Sequence, residues 1–120
     1  MPVWPADVSP LTAMGLPEAL SVPRLVGIHC WAAWNGHDYA FAKQLDAIRQ
    51  AQGERIDVYS MDVEEPSTAR LMLEWEVRNV PAFVVFQKGR RLRTFYQGPE
   101  SVPELMQSIL RWLEGFERDA

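Results

Sequence analysis

Apolar and polar positions along the chain change period several times, and each change predicts an element. Leu25-Val26-Gly27-Ile28-His29-Cys30 is a compact apolar run with little polar alternation, which predicts a strand buried on both faces of a parallel sheet. Over residues 37–52 the apolar positions Phe41, Leu45 and Ile48 recur at i, i+4 and i+7, and Gly53 ends the pattern. That spacing predicts a helix with one inward face. Residues 56–61 read as the next strand and residues 62–66 as its turn. A helix over about residues 67–76 follows, with Leu71, Met72 and Trp75 on its core face. Residues 82–87 and 92–96 are β-rich runs joined by Lys88-Gly89-Arg90, close enough to form an antiparallel hairpin. Ser101 and Glu104 make a capping box for a last helix that turns Leu105, Ile109, Trp112 and Leu113 inward.

Residues 1–24 behave differently. Pro2, Pro5, Pro10, Pro17 and Pro23 punctuate them, and each proline removes a donor and restricts its predecessor. At most one short strand and one short helix, over residues 17–20, are expected there. The order is then β-α-β-α-β-β-α after a loose lead. Parallel pairing through helical crossovers, followed by a hairpin, implies an α/β fold whose central mixed sheet carries helices on both faces. The expected organisation is a single domain over residues 24–120 with the proline-rich lead, residues 1–23, packed on it. The sequence contains no internal repeat and no low-complexity tract.

Composition narrows the function classes. With 120 residues, 48% hydrophobic and 23% charged, the chain has the makings of an ordinary globular core, which excludes disordered and collagenous architectures. Its net charge of −4, with Lys and Arg concentrated only at residues 88–93, argues against a phosphate-backbone footprint and so against nucleic acid. The longest apolar stretches, residues 30–34 and 80–86, fall far short of the roughly 20 residues a membrane helix needs. A basic start with a continuous apolar segment is missing from the N-terminus, so no signal peptide is expected and a cytoplasmic home follows. Cys30 is the single cysteine, which excludes an internal disulfide and a multi-cysteine zinc site.

Trp31-Ala32-Ala33-Trp34-Asn35-Gly36-His37-Asp38, directly after an apolar strand and opening a helix, resembles the active-site segment of the thioredoxin family, which has Trp-Cys-Gly-Pro-Cys there. Val77-Arg78-Asn79-Val80-Pro81 before Ala82-Phe83-Val84-Val85-Phe86, then Lys88-Gly89 and later Gly98, resembles that family's proline, hairpin and following glycine. The resemblance spans about residues 24–115. It implies a thioredoxin-like fold in which Pro81 is a cis-proline facing the helix start. Both cysteines of the family motif are replaced, by Asn35 and Asp38, and the intervening proline by His37. Thiol–disulfide exchange needs a thiolate nucleophile and a second resolving thiol. An amide and a carboxylate do neither, so dithiol chemistry is excluded at this site and the chain is not expected to be an enzyme. By the same resemblance the family's buried strand carboxylate falls on His29 and its partner lysine on Ser60.

The remaining candidates divide between structure and recognition. Cys30 and His29 are neighbours on a strand and point to opposite faces, so they cannot act as a thiolate and base pair. Cys30 reads as a small buried hydrophobe, and a regulatory thiol forming mixed disulfides is the alternative function. His29 reads as a neutral core histidine bonded to Ser60 or to water, its pKa lowered by burial, or as a pH-sensitive group beneath the helix start. His29, His37 and Asp38 lack the paired spacing of metal ligands, so neither a metal nor another cofactor is expected. Asn35 suits a helix cap and Asp38 the positive end of the helix. Trp34, with Asn35, Gly36, His37, Val80 and Pro81, outlines a groove that the resemblance implies would hold an extended peptide segment. Trp31, Trp75 and Trp112 read as core. Lys88, Arg90, Arg91 and Arg93 form a basic hairpin tip, solvated or facing an acidic partner. These readings together describe a redox-inactive adaptor or assembly chaperone, monomeric or weakly dimeric, whose partner is a protein or peptide and neither nucleic acid nor membrane. A structural role, dimerising through a sheet edge, is a third reading.

Overall fold

The computed structural model describes residues 9–119; Pro2, Pro5 and the rest of residues 1–8 lie outside them. The elements, in order, are β1 (Ser9–Pro10), α1 (Leu16–Ala19), β2 (Leu25–Trp31), α2 (Gly36–Gln52), β3 (Ile56–Asp62), α3 (Ala69–Glu74), β4 (Ala82–Gln87), β5 (Arg90–Tyr96) and α4 (Val102–Asp119). They build one five-stranded sheet in the order β1-β3-β2-β4-β5. β3 runs parallel to β2 and β1, while β4 is antiparallel to both β2 and β5. This is the mixed α/β architecture expected from the alternation of periods.

Two apolar layers sandwich the sheet. On one side Phe83, Val85 and Phe95 pack with Phe41, Leu45 and Ile48 of α2 and Leu105, Ile109 and Leu113 of α4. On the other side Val26, Ile28, Cys30, Val84 and Phe86 meet Met61 and Trp75, with Leu11, Leu16, Leu20, Leu71 and Met72 closing the layer. β2 is buried along both faces because it sits mid-sheet between helices, which is why its sequence is a run and not an alternation. Gly27 has no room for a side chain: a Cβ there would lie 2.2 Å from the Phe83 ring.

Residues 9–23 take the one short strand and one short helix that the proline pattern allowed. Pro10 sits on an edge strand and Pro17 in the first turn of a helix, where a missing N–H costs nothing. Leu11 N–H continues the strand by donating to Ser60 O at 2.7 Å.

Three boundaries differ from expectation. The hairpin turn is Lys88-Gly89, with φ of 53° and 78°, so β5 begins at Arg90 and not at Leu92. Positive φ at both central positions matches the twist of the flanking strands. The helix expected over residues 67–76 opens as a 3₁₀ turn, Pro66–Thr68, and its α part is Ala69–Glu74. It stops because Glu76 turns left-handed at φ 59°, donating to Leu73 O while Val77 donates to Met72 O, the paired closure of a helix C-terminus. At α4 the capping box forms as read: Ser101 N–H donates to Glu104 Oε1 at 3.2 Å and Glu104 N–H to Ser101 Oγ at 3.3 Å. Trp75 is buried, but Trp31 and Trp112 are only half-buried, since both stand where a layer ends. Trp112 lies edge-on to Phe95 and stacks on Phe116.

Candidate functional site: a hydrogen-bonded cap at the start of α2

The chain leaves β2 at Trp31, turns through residues 32–35 and enters α2 at Gly36. Asn35 is the helix cap: its Oδ1 accepts from His37 N–H at 3.1 Å, satisfying one of the donors a helix start leaves open. The same side chain reaches across the groove. Its Nδ2 donates to Val80 O at 2.8 Å, tying the helix start to the loop whose Val80–Pro81 bond is cis.

Asp38 lies one helical step inside and is fully buried. Its Oδ2 accepts from Ala32 N–H at 3.1 Å, and its Oδ1 lies 3.0 Å from Nε2 of His29, itself fully buried. Desolvation pulls the His29 pKa down and outweighs the upward pull of Asp38. The imidazole is therefore neutral near pH 7, and Nε2–H is the donor to Asp38. The His29 ring packs 4.7 Å from Phe41, and Ser60 sits in register beside it on β3. The sequence reading named Ser60 or water as its partner and placed Asp38 only against the helix dipole; their direct pairing is what the fold adds.

Further polar side chains complete the cap. Gln97 Oε1 lies 2.7 Å from His37 Nδ1, so that nitrogen carries the hydrogen. Gln97 also donates its backbone N–H to Pro81 O and its Nε2 to Glu100 O, while Asn79 Nδ2 donates to Gln97 O at 2.7 Å. Glu64 Oε1 accepts from Ala33 N–H, and Tyr39 OH donates to Ala33 O. None of Gln97, Asn79, Glu64 and Tyr39 was visible as a site residue in the sequence. The available signals were positional: Asn79 lies in the matched segment before Pro81, and Gln97 precedes the glycine matched after the hairpin.

Of the six residues outlined as a groove, Trp34, Gly36 and His37 are exposed, Asn35 is half-buried, and Val80 and Pro81 are buried. Trp34 stands out from the surface at 71% exposure. The Val80 carbonyl, one of the main-chain groups that edge would offer a peptide, already accepts from Asn35.

Cys30 projects to the opposite face of β2, fully buried among Val26, Ile28, Met61 and Val84. Burial pushes its thiol pKa up, and the Asp38 charge pushes the same way. A thiol in that state is neither nucleophile nor ligand. Among the described residues no group of three or more His, Cys, Asp or Glu could hold a metal ion, and no helix is long and apolar enough to cross a membrane. The basic residues of the hairpin are not one tip patch: Arg91 pairs with Glu76 at 2.9 Å, while the Arg93 guanidinium lies 4.8 Å over the Phe95 ring.

A mixed sheet in this order, with a helix start facing a cis-proline loop, defines a thioredoxin-like fold; here the helix start carries no thiol. The thioredoxin family profile matches residues 12–111, and the chain belongs to that family. It is 25% identical over 109 residues to a Schizosaccharomyces pombe protein named as a protein disulfide-isomerase, covering 90% of this chain and 22% of that one. The chain thus spans about a fifth of that relative's length. Among solved structures it resembles the thioredoxin of Malassezia sympodialis, with 23% identity, a TM-score of 0.70, and coverage of 93% of this chain and 95% of the other. It also resembles a chain from work on thiol resolution in a yeast mitochondrial 1-Cys peroxiredoxin, with 19% identity, a TM-score of 0.67 and coverage of 86% and 93%. At these identities the structures speak for the fold alone.

Proposed function

We propose that this chain is a redox-inactive thioredoxin-family module that binds an extended protein or peptide segment at the Trp34 face, as an adaptor or assembly chaperone. One observation carries the reading: Asn35 and Asp38, at the two positions where the family keeps thiols, are engaged in holding the helix start together, while Trp34 above them stays exposed. Binding of this kind needs no nucleophile. A large rigid aromatic left in solvent beside a fixed backbone turn is an anchor for an apolar side chain. Main-chain pairing at Val80 would share its carbonyl with the Asn35 amide, so the aromatic contact supplies more of the affinity than strand addition does. The reading includes a cytoplasmic protein that is monomeric or weakly dimeric.

The test is a display selection of random peptides against the full chain, followed by affinity measurement on two variants. Trp34→Ala removes the anchor, and Gly36→Arg places a long side chain over an open helix start, where nothing lies within 4 Å of a Cβ. Each should weaken the selected peptides by about tenfold or more. Unchanged binding by both folded variants would sink the assignment. The alternative, a lone-thiol redox protein working through Cys30, requires native alkylation of that thiol at a rate independent of unfolding. Its complete burial favours reaction only through the unfolded chain.

A further inference from the structure

β5 is the last strand of the sheet, so over residues 93–96, past the register shift at Leu92, alternate backbone N–H and C=O groups point away from β4. Beside this edge, between β5 and α4, runs a cleft of about 320 Å³ lined by Arg93, Phe95, Tyr96, Glu100, Leu105 and Trp112 among others. None of the residues around the start of α2 that bind Asn35 or Asp38 lines it. Half-buried Trp112, over buried Phe95 and Leu105, gives it one apolar patch within a lining that is otherwise mostly polar. It carries a cation, Arg93, and a carboxylate, Glu100. Among the described residues Arg93 makes no ion pair, and its guanidinium lies over the Phe95 ring. Arg91, paired with Glu76, lies opposite Phe86 and so on the other face of the sheet, which leaves Arg93 as the cation on the cleft side.

Charged residues on an edge strand commonly serve only to prevent aggregation. That role does not call for a cleft alongside that opens beside an aromatic ring, Trp112. A second copy of this chain is a poor occupant, because the fully overlapped antiparallel pairing of β5 with β5 sets Arg93 opposite Arg93. We infer that β5 accepts an extended acidic protein segment as a sixth strand, with a carboxylate meeting Arg93 and an apolar side chain two residues away entering the cleft against Trp112. Side chains two apart on a strand share a face, so a single strand satisfies both contacts. This surface shares no lining residue with the Trp34 face, to which Gln97 links it by bonds to Glu100 and His37, and either binding can fail without the other.

The probe is the fluorescein-labelled peptide Thr-Glu-Thr-Leu-Thr-Glu-Thr, read by anisotropy against the full chain. Its Lys-for-Glu counterpart should bind at least about tenfold more weakly. Arg93→Glu, a change on an exposed side chain, should weaken the acidic peptide by a similar factor and strengthen the lysine one. Methylating the peptide's alternate backbone nitrogens on the side that faces β5 should abolish binding, since it removes the strand donors. Failure of the acidic peptide to bind would overturn the inference. Equal binding by the methylated peptide would overturn it too, reducing the contact to loose charge attraction.

Discussion

His29 and Cys30 are consecutive on β2, equally buried, and live in opposite worlds. The imidazole faces the α2 side and meets a carboxylate at 3.0 Å; the thiol faces hydrocarbon, its Sγ no closer than 3.9 Å to the Ile28 carbonyl oxygen. The pleat separates them, so two groups that a linear reading sets side by side never meet. What the difference teaches is that burial alone does not specify a group's role. A buried polar group paired across elements becomes a structural joint, and a buried sulfur whose one long bond is to its own strand becomes packing.

Breaking the joint should have the largest effect. Asp38→Ala strands a buried neutral imidazole and the Ala32 N–H, and should lower the unfolding free energy by about 2 kcal/mol in urea titrations. Adding His29→Leu should recover about 1 kcal/mol, because the orphaned ring is then gone. Additive losses would show that the two residues do not act as a unit. On the other face the hydrocarbon reading is tested by pairing Cys30→Ser with Cys30→Ala. The serine hydroxyl enters an apolar layer, so serine should be the worse by about 1 kcal/mol. Equal stabilities would place a polar partner near Sγ.

A further effect, of similar size, is in pH. The folded-state pKa of His29 is lowered, so between that value and the unfolded value of about 6.5 the unfolded chain binds the proton that the native chain refuses. Stability is then fully present above about pH 6.5 and falls as the pH drops below it, by at most about 1.4 kcal/mol per unit. Chemical denaturation at pH 7.5 and 5.5 should show this loss in the native sequence and less of it in His29→Leu. A slope unchanged by the substitution would move the titration to another group.

Much of the scaffold was legible because periodicity reports burial. Leu25 to Cys30 is a run since it is covered on both faces, and the Ser101–Glu104 box announced α4 by chemistry acting over three residues. Asn35 was legible as a cap for the same local reason. The joint was not, because His29 and Asp38 lie nine residues apart across a turn and only the path of that turn brings them together. Gln97 was hidden still further, 60 residues from the His37 ring it meets. Helix boundaries at residues 66–76 slipped because a left-handed glutamate, not a glycine, closes α3.

The amide of Asn35 caps α2 with its oxygen and holds Val80 with its nitrogen. A thiol offers one weak donor and a diffuse acceptor, so no single sulfur at that position could keep both contacts. Restoring cysteine there would loosen the helix start and the facing loop in one step, before any resolving partner existed to repay the loss. An Asn35→Cys variant would therefore have to be judged on two contacts at once, since the cap and the cross-groove tie share a single side chain.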